Sequence, residues 1–434
     1  MAASGSAAQR LLLYETEALL HRLGRVLPLV TQIPAVPAAA IAPVAARAID
    51  RFLADGRDAL RELVHQYRSW LRDAGEQVDP SEAQRRFALV RLRFNRVLAH
   101  FETFADALLQ RCEHDYGTLL RGLDVLASDA LALAAPHLEP VPLITYLDRG
   151  IGAAIRKART RLPGGGENPV AVIRVPRERM VGSGIGASIV HEVGHQVAAS
   201  LDLLKALRMT LRAQQAPSDE AALWGVWERW ISEIFADLWA VGALGISGTL
   251  GLMQVVSLPR AFVFSVHLDD PHPVPWIRVH LSCAMGEALY PHPQWGRLRD
   301  LWNGLYPFVA AERQSELVRS LHAHMPKFVA LLLEQRPVSC GGRSLRELVP
   351  ATDRQPARLA ALQREWRTQP DKMRRAPPTL AMAVLGQAKF DGSLPPLEES
   401  EMHTRLLQRW ALDETIAVPT RLPDQTTAPF RRAA

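Results

Sequence analysis

The sequence predicts a mainly α-helical protein with a small β-sheet in its middle third, preceded by a helical N-terminal region. Three observations carry this. Leucines and valines recur at three- and four-residue steps from residue 7 to about 136. Two short runs, 143–146 and 170–175, are rich in apolar and β-branched residues and lie beside prolines. Helical periodicity then returns at about residue 185 and continues to about 334.

The first 140 residues read as a helical bundle or arm without a catalytic signature. Its longest amphipathic stretch, 81–114, repeats apolar positions at Phe87, Val90, Leu92, Phe94, Val97, Leu98, Phe101 and Phe104. The apolar stretch 26–49 has a single base, Arg47, and no acid. It also contains Pro28, Pro34, Pro37 and Pro43, which argues against a membrane-spanning helix. Arg10, Glu15 and Glu17 interrupt the first twenty residues, so no signal-peptide core is read there.

The pattern changes after Pro140 and Pro142. A strand at 143–146, a helix at about 150–159, a glycine-rich loop at 163–168 and a strand at 170–175 lead to a helix over about 185–204. A linker at about 214–218 precedes another helix, 219–241, for which Ser218 or Asp219 is the expected N-cap. Residues 368–378 read as a linker and 417–434 as a loose tail. The expected organisation is therefore a helical region at 1–140, a mixed α/β unit at 141–340, and a helical C-terminal extension at 341–434.

A chain of 434 residues exceeds the usual single core, and 48% hydrophobic residues can fill more than one. The net charge of +6 comes almost entirely from arginine, scattered among acids without a basic block, so no nucleic-acid partner is expected. The three cysteines, Cys112, Cys283 and Cys340, are far apart and form no CxxC pair. That spacing gives neither a disulfide framework nor a thiolate metal site, and it predicts a reducing, cytoplasmic setting.

The chemistry concentrates in His191-Glu192-Val193-Gly194-His195, an HExxH motif. Two histidines four apart on a helix are offset by about 40° and about 6 Å, so both imidazoles can face one ion. Glu192 sits beside them and can act as general base towards water at that ion. Ile189, Val193, Val197 and Leu201 would bury the opposite face, and Gly194 leaves room for a close neighbour. Chance would produce such a motif only about 0.02 times in a chain of this composition.

A hydrolytic zinc site needs a third protein ligand. Glu233, in Ser232-Glu233-Ile234-Phe235-Ala236-Asp237, is the best candidate. Asp237, one turn on, would accept a hydrogen bond from a ligand histidine and fix its tautomer. Ala236 and Ala240 would let the two helices pack closely. Trp224, Trp227, Trp230 and Trp239 read as core.

HExxH followed by a helix with Glu-x-x-Ala-Asp resembles the gluzincin metallopeptidases, and ExxAD is similar to the CAAX prenyl endopeptidase family. That family also has a His-Pro turn with an arginine six residues after the histidine, as in His272-Pro273 and Arg278. The resemblance covers about residues 141–290 and implies a zincin-like catalytic core. It further implies a substrate-facing or transition-state role for His272 and Arg278. Tyr290 and His280 compete as donors to the oxyanion.

These readings together predict a zinc metallopeptidase acting on protein or peptide substrates, with Glu192 as general base. The 170–175 strand would bind substrate backbone as an added strand. Two other classes compete: a helical adaptor that merely retains the zinc site, and a regulatory or membrane-surface protein working through its N-terminal helices. Intact Glu192 favours hydrolysis over the adaptor, because structural coordination needs no general base.

Overall fold

The computed structural model describes residues 7–25, 35–113, 116–135, 137–150, 152–162, 166–180, 182–216, 219–309 and 315–417. The described chain is mainly helical, with a single three-stranded sheet. No helix among the described residues is long and apolar enough to cross a membrane. Residues 26–34 of the apolar stretch, 163–165 of the glycine-rich loop, Ser218 and 418–434 of the expected tail lie outside them.

Three N-terminal helices, α1 (Ala7–Arg25), α2 (Pro43–Asp73) and α3 (Pro80–Leu109), pack on one another through Leu19, Val64, Phe87 and Phe94. Local chemistry sets two of the starts. Pro43 and Pro80 stand in the first turn, where a missing N–H costs nothing. The Asp79 side chain also accepts hydrogen bonds from Ser81 N and Glu82 N, at 3.3 and 3.2 Å.

The sheet contains β1 (Leu143–Asp148), β2 (Ala154–Arg156) and β3 (Ala171–Pro176), in the order β1-β3-β2. β1 runs parallel to β3 with Leu143 opposite Ala171, and β2 runs antiparallel with Ile155 opposite Ile173. Side chains alternate across it. Ile144, Val170 and Val172 meet Ile49, Phe101 and Phe104 of the N-terminal helices, while Leu143, Leu147, Ile173 and Val175 enter the main core.

The expected helix at 150–159 is corrected: β2 occupies its middle. Gly150 has φ +141° and Arg159 has φ +59°, neither helical, and the second edge of β3 gives residues 154–156 a ladder of hydrogen bonds. β3 is consequently the central strand, which corrects the reading that it accepts an added substrate strand. The edges belong to β1 and β2, and β2 is the one that follows the cleft-lining residues Gly152 and Ala153.

The motif helix, α5 (Gly184–Ser200), stops before residue 204 because Asp202 takes a left-handed conformation, and α6 (Leu203–Gln214) leaves in a new direction. Before it, α4 (Gly117–Ala132) packs into the same core. α7 (Ala221–Leu244) is the long central helix; Glu220 precedes it without capping through its side chain, so Asp219 is not the N-cap. It ends at Gly245, whose positive φ reverses the chain into α8 (Ile246–Val256).

The rest is α9 (Arg260–Val263), α10 (Pro275–Leu289), α11 (Gln294–Leu305), α12 (Ser315–Leu333), α13 (Pro356–Thr368), α14 (Pro370–Arg375), α15 (Pro378–Phe390) and α16 (Pro396–Ala417). The expected linker at 368–378 contains α14, a short helix opened by Pro370. Helices α15 and α16 bring Met382, Val384, Leu406 and Leu407 into the same core as α5 and α7.

Candidate metal centre

Helix α5 has the asymmetry its sequence demands. Ile189, Val193, Val197 and Leu201 are buried, while His191 and His195 turn towards Glu233 of α7, with His191 lining a cleft. The two helices touch at Gly194: a Cβ there would stand 2.8 Å from Ala236 Cα and 3.0 Å from Trp239 Cβ. Only a residue without a side chain permits this approach, which brings Glu233 to the histidines. Trp224, Trp227, Trp230 and Trp239 are all core, as expected.

Glu233 bridges the pair. Its Oε2 lies 3.3 Å from His191 Nε2 and its Oε1 3.3 Å from His195 Nε2. One ligand atom from each of these three residues falls within 4.8 Å of the others. Tetrahedral zinc with bonds of about 2.0–2.1 Å separates its ligand atoms by roughly 3.3 Å, so the spacing of Glu233 from both histidines fits such an ion.

Each contributing side chain is held from behind. Asp237 Oδ1 lies 2.8 Å from His191 Nδ1. Ser232 Oγ is 3.4 Å from His195 Nδ1. Arg278, on α10, donates from Nε to Asp237 Oδ2 at 2.6 Å and from Nη2 to Asp237 Oδ1 at 2.9 Å and Glu233 Oε2 at 3.4 Å. Its guanidinium thus binds the carboxylates while also lining the cleft, where a substrate-facing role was expected for Arg278.

The electrostatics follow from this packing. Burial would raise Glu233 and Asp237. Hydrogen bonds from His191 and His195 outweigh it at Glu233, and the Arg278 charge together with His191 outweighs it at Asp237, so both carboxyls sit below their ordinary range. For His191, burial is overcome by the Asp237 and Glu233 carboxylates, which push it up to about 9. A proton on His191 meets part of the anionic demand, and a divalent cation would answer the same demand. Glu192 is different: burial raises its carboxyl, against the opposing pull of His191 and His195.

His272 stands at the mouth, half exposed, with Nε2 3.4 Å from Glu233 Oε2. Asp270 fixes it by accepting from the His272 backbone N–H at 2.9 Å and lying 2.6 Å from Nδ1. The cleft, 170 Å³, is completed by Gly152 and Ala153 ahead of β2 and by Leu252 and Val255 of α8. A larger cavity of 420 Å³ lies among α13 to α16, lined by none of these candidate residues.

Two expected donors lie elsewhere. Tyr290 is fully buried and donates its hydroxyl to Gly242 O at 2.5 Å, so it serves the core and not the cleft. His280 packs 4.1 Å from the Trp276 ring, with Nε2 3.0 Å from Asn303 Oδ1. Conversely, sequence reading assigned no role to Ser232 or Asp270. Ser232 directly precedes Glu233, and Asp270 stands two before His272, the spacing of an Asx turn.

Comparison with protein-family models, with curated proteins and with solved structures gives no match for this chain.

Proposed function

We propose that this protein is a zinc-dependent metallopeptidase of gluzincin type. The observation that carries the reading is the convergence of His191, His195 and Glu233 with Glu192 buried beside them. Two histidines and a carboxylate form the donor set of a hydrolytic zinc site that keeps a position open. Zinc held by these residues would supply Lewis acidity, polarising a carbonyl and making water a stronger nucleophile.

The chain's own residues do the remainder. Glu192, with its proton affinity raised by burial, takes a proton from the attacking water and delivers it to the leaving amine. His272, steadied by Asp270, presents Nε2 to the cleft as a donor to the developing oxyanion. Arg278 and Asp237 keep His191 in register. A protein or peptide substrate fits the short β2 edge beside the cleft, where an extended backbone can pair irrespective of its side chains. A cytoplasmic setting belongs to the same reading, supported by three free cysteines.

Metal analysis of the purified full chain tests the centre. About one zinc per chain is expected, with sharp loss in a His191→Ala, His195→Ala double variant. Full zinc occupancy in that variant would contradict the assignment.

A further inference from the structure

Helix α3 turns Phe87, Val90 and Phe94 inward against α1 and α2. Its outer ridge carries two exposed leucines. Leu89 is 63% exposed and Leu92 55%. Arg85, Leu89, Leu92 and Arg96 follow steps of four, three and four, so they form one stripe along the helix, with Arg93 flanking it.

The charge on this ridge is uncompensated. Arg85, Arg93 and Arg96 are exposed, and none has an ion-pair or hydrogen-bond partner among the described residues. From Ala83 to Phe101 the helix contains no acid, and the preceding Glu82 is engaged by Arg86 at 2.6 Å. Other exposed arginines, Arg208 and Arg364 among them, also lack such a partner, but two on α16 are arranged differently. On α16, Arg405 lies 2.9 Å from Glu401 and Arg409 2.8 Å from Asp413, each a single turn away. At the corresponding positions around Arg96 stand Leu92 and His100, and around Arg93 stand Leu89 and Val97.

We infer that the outer face of α3 docks the protein on an anionic lipid bilayer, with the arginines among the headgroups and Leu89 and Leu92 entering the acyl boundary. Charge complementarity selects a polyanionic partner. The leucines on the crest select a bilayer over nucleic acid, because phosphate contacts would leave them in water whereas the headgroup boundary removes them from it. An intact folded helix lying in the interface suffices, and the attachment is peripheral, reversible and salt-sensitive.

Cosedimentation of the full chain with vesicles of phosphatidylcholine, alone or mixed with phosphatidylglycerol, tests this. Binding is expected only to the mixed vesicles and should fall as salt rises. Replacement of Arg85 and Arg96 by glutamine should weaken partitioning about fivefold per arginine. The Leu89→Ser, Leu92→Ser double variant should weaken it about tenfold or more at unchanged charge. All four positions are exposed, and unchanged circular dichroism would verify that the variants fold. Failure to bind mixed vesicles, or binding indifferent to the leucine pair, overturns the proposal. So does tighter binding to RNA than to mixed vesicles, undiminished by the leucine substitutions.

Discussion

Arg278 and Asp237 form a buried two-point ion pair, Nε to Oδ2 at 2.6 Å and Nη2 to Oδ1 at 2.9 Å. The same Asp237 Oδ1 faces His191 Nδ1 at 2.8 Å, so an arginine on α10 sets the orientation of a histidine on α5 through a carboxylate on α7. A buried pair of this kind adds little net stability, because desolvation offsets most of its attraction. Its value here is geometric.

This arrangement ranks two substitutions. Asp237→Asn keeps the shape but weakens the hold on His191, and should lower zinc affinity roughly 10- to 100-fold. Glu233→Gln removes the anionic donor itself and should cost more. Competition with a chromophoric chelator measures both, and Asp237→Asn proving the more damaging would make Asp237 the third ligand.

His272 and Tyr290 are separated by location. His272 lines the cleft, so His272→Ala should lower turnover by about 10²-fold with zinc content unchanged. Tyr290→Phe removes the donor to Gly242 O and should lower stability by roughly 1 kcal/mol while leaving turnover intact. Steady-state kinetics beside urea denaturation distinguishes them. Loss of turnover in Tyr290→Phe at full folding, with His272→Ala normal, would reverse the roles.

His403 on α16 provides a pH dependence away from the candidate metal centre. It is 1% exposed, neither ring nitrogen has a hydrogen-bond partner, and burial pushes it down to about 4 against the opposing charge of Glu399. Above the ordinary histidine value of about 6.5 both folded and unfolded chains keep it neutral. As pH falls from there towards 4, the unfolded chain takes a proton that the folded chain refuses, so stability is lost across that window. The loss amounts to roughly 3 kcal/mol for this group. His403→Leu should flatten the decline in urea midpoint between pH 7 and pH 4.5, leaving the share due to His280, also held down to about 4, and to His322 and His324, which burial lowers as well. An unchanged slope would remove His403 from the account.

The clustering of His191, His195 and Glu233 was legible because these candidate ligands obey helical geometry. His191 and His195 share a face at four-residue spacing, as do Glu233 and Asp237, and Gly194 opposite Ala236 explains how the two helices meet. What escaped depends on contacts remote in sequence. β2 resembled a helix start because the β3 edge that pairs with it lies farther along the chain. Tyr290 resembled a catalytic donor until the burial of α10 beside α7 gave its hydroxyl the Gly242 carbonyl. The ridge of α3 was hidden as well, since its arginines are interrupted by inward-facing residues and form a block only after the helix winds.

The central claim is peptide-bond hydrolysis at this centre, and Glu192→Gln probes it most directly. Glutamine cannot accept the water's proton, yet position 192 supplies no atom to the proposed metal. The measurement is mass-spectrometric detection of new peptide termini in a proteome-derived library, using wild-type and Glu192→Gln protein each analysed for zinc. The account predicts about one zinc in both proteins and cleavage by the wild type alone. Equal cleavage by both, or no cleavage by a fully zinc-loaded wild type, would contradict it.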